Sequence, residues 1–500
     1  MMTINVNWDL ESIFAGGSDS VELTDFLEQL SADFKAAEQA PLPPTLTNDT
    51  TAAWVDAIQT VYDLGERLQH AHSFIGCLSS QNVKDEKARQ LEGRTGALSA
   101  QLGMLWTHLS ANMAAQDDAA WEKLLTEPEL APVEFHLHEQ RAQSREQMAA
   151  EKEALVTELA TDGYHGWSRL YNFMAGDKQV EFDGKQMSLG QLQGQFMDSP
   201  NRTVRQQAFD LFEQAWGELA QTSAMALNHM AGFRLTWYKH RNWESFLKEP
   251  LEANRLTADT LFTMWDVIDR KSDKLLDYFA AKAKLFEIDE LAWFDTWAPV
   301  GAVTREFTYD QAADFVVDNI GSINPSIAEF CRYAVDNRWV EAEDRPGKRA
   351  GAYCTRLPLK KEPRIFMTYN GSFNGMLTLA HELGHGYHGW VMRDLPIGAQ
   401  RYTMSVAETA STLNELAVKD AALKVAADDQ EKLSILGTSL NDATSFLMNI
   451  RARFEFEKSF YEKRREGQLS VQELSELMVS AQKLAYKDGL AQYHPLFWAS

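Results

Sequence analysis

Apolar residues recur at three- and four-residue spacing through three long stretches near the start of the chain: Val21 to Ala37, Thr51 to Leu78 and Lys84 to Leu109. That period lines one apolar stripe along each segment, so three amphipathic helices are predicted, with their Trp, Phe and Met residues in the core rather than around a cofactor. Pro41, Pro43 and Pro44 predict a rigid connection between the first two. The pattern turns to alternation at Lys178–Met187, where Asp183-Gly184 divides two short runs and predicts a β-hairpin. The material before it reads helical. A boundary is therefore drawn there, between an N-terminal helical region, 1–190, and a second region, 191–500. Ser199-Pro200 predicts the start of a helix running through Phe209 and Trp216.

β character returns at 291–307, which holds Trp293, Phe294 and Val303, at 351–354, and at Arg364 to Tyr369, a run rich in β-branched and aromatic residues. These three segments predict one small sheet. Arg338 to Arg349 reads as a charged loop. In Glu134 to Glu139, His136 and His138 alternate at strand or loop spacing and read as ordinary polar residues. The final third returns to helical spacing. The fold class predicted is mostly α with one small β-sheet.

The 48 Lys and Arg against 72 Asp and Glu leave a net charge of −24, which argues against nucleic acid or an anionic membrane as partner. Three cysteines (Cys77, Cys331, Cys354) with no CxxC pair fit a reducing compartment and argue against structural zinc. Residues 1–9 carry neither a basic nor an apolar signal region, and no apolar run reaches about 18 residues. A cytoplasmic protein is expected.

His381-Glu382-Leu383-Gly384-His385 changes the picture most. On a helix, positions i and i+4 share one face, so the two imidazoles can grip one Zn²⁺, with Glu382 beside it as general base. This HExxH pattern points to metal-assisted peptide hydrolysis. Asn370-Gly371-Ser372 signals a turn before the helix, with Asn374 as its N-cap, and the strand at 364–369 offers an edge along which an extended peptide can pair. Gly351, Ala352 and Tyr369 are the candidate substrate contacts. Gly384, Gly386 and Gly389 each cost a helix about 1 kcal/mol relative to Ala. Leu377, Leu379 and Leu383 accompany them, so close backbone approach by a neighbouring element is predicted.

A catalytic zinc usually takes three protein ligands. The longer HExxHxxGxxH pattern fails, because His388 replaces its Gly and Val391 its last His. Glu408 is the best candidate for the third ligand, yet Ser405-x-x-Glu408 also reads as a capping box, and spacing alone leaves both roles open. His388, one turn beyond His385, is assigned a supporting or packing role. Glu415 is placed to orient a ligand imidazole through its free ring nitrogen.

Several stretches resemble the oligoendopeptidase F-type metallopeptidases, relatives of thimet oligopeptidase. The resemblance rests on Gly351 to Cys354, Ile365 to Ser372, Thr378 to His388 and Val406 to Ser411, with weaker likeness at Trp8 to Ser20 and Lys239 to Leu247. It implies one zinc per chain held by His381, His385 and Glu408, with Glu382 as base. It also implies a multi-helix zincin-type fold with a deep substrate channel between two helical halves, and oligopeptide substrates. In that family a later segment supplies a His and Tyr residues that bind the tetrahedral intermediate. Tyr493 to Ser500 resembles the lead-in to that segment, so the chain is expected to be truncated at its C-terminus, and nothing in their spacing assigns Tyr493 or His494 to that role. The expected activity is zinc-dependent endopeptidase action on short oligopeptides. The alternatives are a zinc carboxypeptidase or a truncated form that binds zinc and peptide without turnover. Oligomeric state is not readable from the sequence.

Overall fold

The computed structural model describes residues 4–301 and 305–500. Val303, and with it residues 302–304 of the 291–307 segment, lies outside the described residues, as do residues 1–3. The chain is mostly helical and separates into two compact units. One is Met1–Gln147 with Arg305–Lys424, and the other is Met148–Thr304 with Val425–Ser500.

In the first unit the three amphipathic segments form helices Val21–Gln39, Thr51–Gln81 and Glu86–Ala114. Leu23, Leu27, Leu30 and Phe34 are the buried stripe of the first, and Ser20 caps it by accepting the Leu23 N–H. Asp85 caps the third through Ala88 N, 2.8 Å. Glu134–Arg145 is helical rather than extended. Tertiary contacts decide this: buried Arg141 donates to the Met113 and Gln116 carbonyls, and His136 packs against Tyr62 and Trp106.

The sheet of this unit has strands in the order β3-β5-β4, where β3 is Val340–Glu341, β4 is Tyr353–Leu357 and β5 is Glu362–Phe366. β5 is central, parallel to β3 and antiparallel to β4. The segment read as a charged loop therefore supplies a strand. Part of its charge turns inward: the buried Glu341 carboxylate meets Arg345, 3.0 Å, and Lys348, 3.4 Å, while Arg338, Asp344 and Arg349 stay exposed. Residues 291–301 form no strand. Leu291 to Phe294 bury their side chains through a tight helical turn, Trp293–Asp295, closed by Asp295 Oδ2 accepting the Ala292 N–H.

In the second unit, β1 (Gln179–Phe182) and β2 (Lys185–Ser188) make the expected hairpin, with Asp183 at φ 51° and Gly184 at φ 71°, the left-handed pair such a turn requires. Val180 joins the core that Leu189, Phe196 and Phe209 build from the following helices, so the hairpin lies inside this unit and a division at residue 190 cuts through it. The long helix Arg202–His240 starts two residues after Pro200, capped by Asn201 rather than Ser199.

One buried histidine makes the first unit acid-sensitive. His70 is 2% exposed, lies against Phe14 and Phe26, and its Nδ1 has no hydrogen-bond partner among the described residues. Burial, reinforced by Lys360 and Arg364, lowers its pKa from 6.5 to about 4. As pH falls through 6.5 the unfolded chain takes up a proton that the folded chain refuses until about 4, so stability is lost across that window. The loss is about 3 kcal/mol. His70→Phe is expected to flatten the decline in urea unfolding between pH 7 and 4. Parallel curves for the two proteins would exclude His70 as its cause.

Candidate metal centre

The helix Phe373–Met392 follows the turn at Asn370 to Ser372. Ser372, not Asn374, is its N-cap, accepting the Gly375 N–H at 3.0 Å with extended backbone (φ −81°, ψ 161°), while Asn374 already lies in the first turn. His381 and His385 leave this helix on one face, with their Nε2 atoms 3.1 Å apart. A second helix, Thr409–Lys424, returns against the first. Glu408 sits in the break between a short turn, Met404–Ala407, and this return helix. Its Oε2 lies 3.3 Å from His381 Nε2 and 3.2 Å from His385 Nε2. No capping box forms around it, since the cap position of the short turn is Thr403 and its side chain makes no capping bond.

Three donors 3.1–3.3 Å apart are the edges of a small triangle. Bonds of about 2.0–2.1 Å in tetrahedral geometry place donors about 3.3 Å apart, so the triangle fits a zinc-sized cation with its fourth position open. The His, His, Glu donor set suits the same ion. Glu415 adds a further fit. Its Oε1 is 2.5 Å from His381 Nδ1, which fixes the proton on Nδ1 and turns the Nε2 lone pair to the other donors. This bond raises the His381 pKa, whereas burial lowers that of His385.

The site is braced by groups that sequence reasoning missed. Lys419 Nζ holds Glu415 Oε2 at 3.0 Å, and its i+4 spacing was the available signal. Ser411 Oγ donates to Glu408 Oε2 at 2.7 Å, and buried Asn414 ties the two helices by donating to the Ala380 carbonyl. Glycine permits the helices to meet. A Cβ on Gly384 would stand 2.6 Å from the Ala410 carbonyl oxygen and 2.6 Å from Ser411 Cα. Replacing Glu415 by Ala is expected to weaken metal binding about 10–100-fold, read by competition with a chelator. Unchanged affinity would show that His381 needs no such partner.

Glu382 is 5% exposed, its Oε2 has no hydrogen-bond partner among the described residues, and burial above all pushes its pKa up to about 7. His388 stays outside the triangle; its ring stacks on Tyr402 with centroids 4.2 Å apart. Gly351 is exposed and Ala352 half-buried, just before β4. Tyr369 sits beyond β5, its N–H bonded to the Ala342 carbonyl and its hydroxyl to that of Phe307. Because β5 is interior, the edge expected at 364–369 is already paired on both sides. Among the described residues, the outer edge of β4 pairs with no strand. In the second unit, His494 is buried beside Glu213 and enclosed by Phe209 and Trp293.

The pattern described as peptidase family M3 matches residues 195–497, and that of oligopeptidase F matches 113–179. Oligopeptidase PepF of Bacillus subtilis is 24% identical over 97% of this chain and 72% of its own length. The group B oligopeptidase PepB of Streptococcus agalactiae is 22% identical over 93% of this chain and 78% of its own. A crystal structure of a peptidase from Chlamydophila abortus superimposes with a TM-score of 0.81 at 19% identity, covering 99% of this chain and 84% of that one. Oligoendopeptidase F from Enterococcus faecium gives 0.66 at 18%, covering 96% and 82%. At these identities the structural likeness speaks for the fold.

Proposed function

The chain belongs to peptidase family M3, and from that membership we propose that it is a zinc-dependent endopeptidase acting on short oligopeptides. It is a metallo-oligopeptidase by family, with a mostly helical zincin-like fold. The observation that carries the finer reading is the triangle of His381, His385 and Glu408 donors 3.1–3.3 Å apart, with Glu415 holding the His381 tautomer.

His381, His385 and Glu408 would hold the zinc. When bound, the ion supplies positive charge that polarises the scissile carbonyl and lowers the pKa of water towards about 7. Glu382 accepts the proton of the attacking water at Oε2, which no group among the described residues hydrogen-bonds, and returns it to the leaving amine. Its raised pKa suits both halves of that transfer. An extended peptide would pair with the free edge of β4, with Gly351 and Ala352 at its start, in place of the paired strand β5. No described helix is long and apolar enough to cross a membrane. The cysteine pattern supports a cytoplasmic site of action.

Elemental analysis together with mass spectrometry of products from a peptide blocked at both ends tests this reading. One zinc per chain and internal cuts are expected. A protein without metal, or one that leaves blocked peptides whole while trimming free C-termini, would overturn it.

A further inference from the structure

A cavity of about 470 Å³ opens in the first unit, walled by the helix Thr51–Gln81, the end of β4 and the turn Ile397–Gln400. Tyr62, Leu102 and Trp106 give it an apolar floor, and its charged lining is cationic, with Arg356 and Arg401 beside His72. No Asp or Glu lines it, in a chain whose net charge is −24.

Arg356 is the informative residue. Its stem packs tightly over Gly389, where a Cβ would meet Arg356 Cδ at 2.9 Å, so the side chain is fixed against the metal-bearing helix. One guanidinium nitrogen donates to Gln400 Oε1 at 3.0 Å, and buried Gln400 donates in turn to the Leu395 carbonyl. These partners are neutral, and among the described residues no carboxylate pairs with Arg356. A half-buried guanidinium fork held by neutral groups and facing a cavity is built for an incoming carboxylate.

The cavity adjoins the metal centre through two contacts. Cys354 and Arg356 leave β4 on the same face, about 6.6 Å apart along the strand. On that face the Arg356 stem lies against Gly389, one helical turn beyond His385. Tyr402, also on the cavity wall, stacks on His388, one helical turn beyond His385. The cavity therefore borders the metal-bearing helix, within reach of a peptide paired to the β4 edge.

We infer that this cavity is a substrate subsite for a carboxylate, held by Arg356, with the neighbouring apolar side chain resting on Tyr62 and Trp106. The inference rests on the peptidase reading. Two sources share that chemistry, the free C-terminus of a short peptide and an Asp or Glu side chain near the cleaved bond.

Internally quenched peptides of one sequence, made as free acid and as amide, and with Glu or Gln at each position flanking the cut, separate the two sources. They are turned over by the wild-type zinc enzyme, Arg356→Gln and Arg356→Lys. Wild type is expected to favour one carboxylate member about tenfold or more in kcat/KM, mainly through KM. Arg356→Gln should bring that ratio close to one, and Arg356→Lys should restore part of it. A discrimination lost on amidation names the C-terminus, and one lost on Glu to Gln names the side chain; either supports the subsite. No discrimination in wild type, or an equal fall for both members in Arg356→Gln, overturns it. The same peptides, labelled, are also bound to zinc-loaded Glu382→Gln protein. If no peptide is cleaved, the peptidase reading fails, while this binding ratio still decides the subsite: a tenfold preference for the carboxylate supports it, and equal affinity overturns it.

Discussion

Glu382→Gln is expected to lower kcat by about 10³ while the protein keeps one equivalent of metal. The amide has the same shape as the carboxylate and sits in the same buried position, so the helix and its two ligands have no reason to move. What it loses is the capacity to take a proton. Below its pKa the wild-type carboxyl is protonated and idle, so kcat/KM falls on the acid side. Burial, with the nearby Glu408 and Glu415 carboxylates, lifts that pKa to about 7, and a neighbouring dication favours the carboxylate, so the acid limb should lie at or below pH 7. The residual activity of the Gln variant should lack that limb. Metal analysis alongside kcat separates lost chemistry from a lost site. A Gln variant with wild-type kcat would refute Glu382 as the base.

Gly384→Val should be nearly as damaging, although Gly384 touches no ligand atom. The added Cβ would be driven into the Ala410 carbonyl oxygen and Ser411 Cα, backbone atoms that cannot swing aside as a side chain would. The two helices must separate. Glu408, just before the return helix, and Glu415, within it, flank that contact, so both the proposed third ligand and the partner of His381 retreat together. A fall in stability of about 3 kcal/mol is expected, with metal affinity lowered at least about 100-fold. Gly103→Ala in the helix Glu86–Ala114 is the control. Nothing lies within 4 Å of its Cβ position, so a gain of up to about 1 kcal/mol is expected there. Wild-type metal affinity in Gly384→Val would show that the helix contact does not set the ligand triangle.

What could be read from sequence was whatever a single segment encodes. The HExxH spacing is local to one helix, and the glycines beside it signalled a close neighbour that the Ala410–Ser411 contact supplies. The helices at 21, 51 and 86 were legible because each keeps one apolar stripe over several turns. Glu408 was legible only as an ambiguity. Ligand and cap demand the same residue type, and what excludes the cap, Thr403 standing at that position, leaves no mark in the spacing. β3 was hidden because two strand residues leave no periodic pattern, and because Glu341, Arg345 and Lys348 satisfy one another inside the fold. That hidden strand is why 364–369 was taken for an edge. The aromatic run at 293–294 misled in the opposite sense, since bulky side chains fill a core as readily from a tight turn as from a strand. His136 was read as polar surface because its partners, Tyr62 and Arg401, are remote in sequence.

The first unit is assembled from two stretches with the whole of residues 148–304 between them. Its opening residues lie directly on the sheet. Asp9 N–H bonds the Arg338 carbonyl, Arg364 returns a bond to the Asp9 carbonyl, and the Trp8 ring meets Phe366 at 5.7 Å. On the ribosome, Trp8 and its neighbours must therefore wait for strands made more than three hundred residues later. At usual elongation rates that delay is roughly 15–70 s. Through it, an apolar face of the nascent chain stays uncovered, and the proposed metal site lacks Glu415 until that residue has emerged. Newly made protein should accordingly lean on holdase chaperones until the strands at 340–366 have been made.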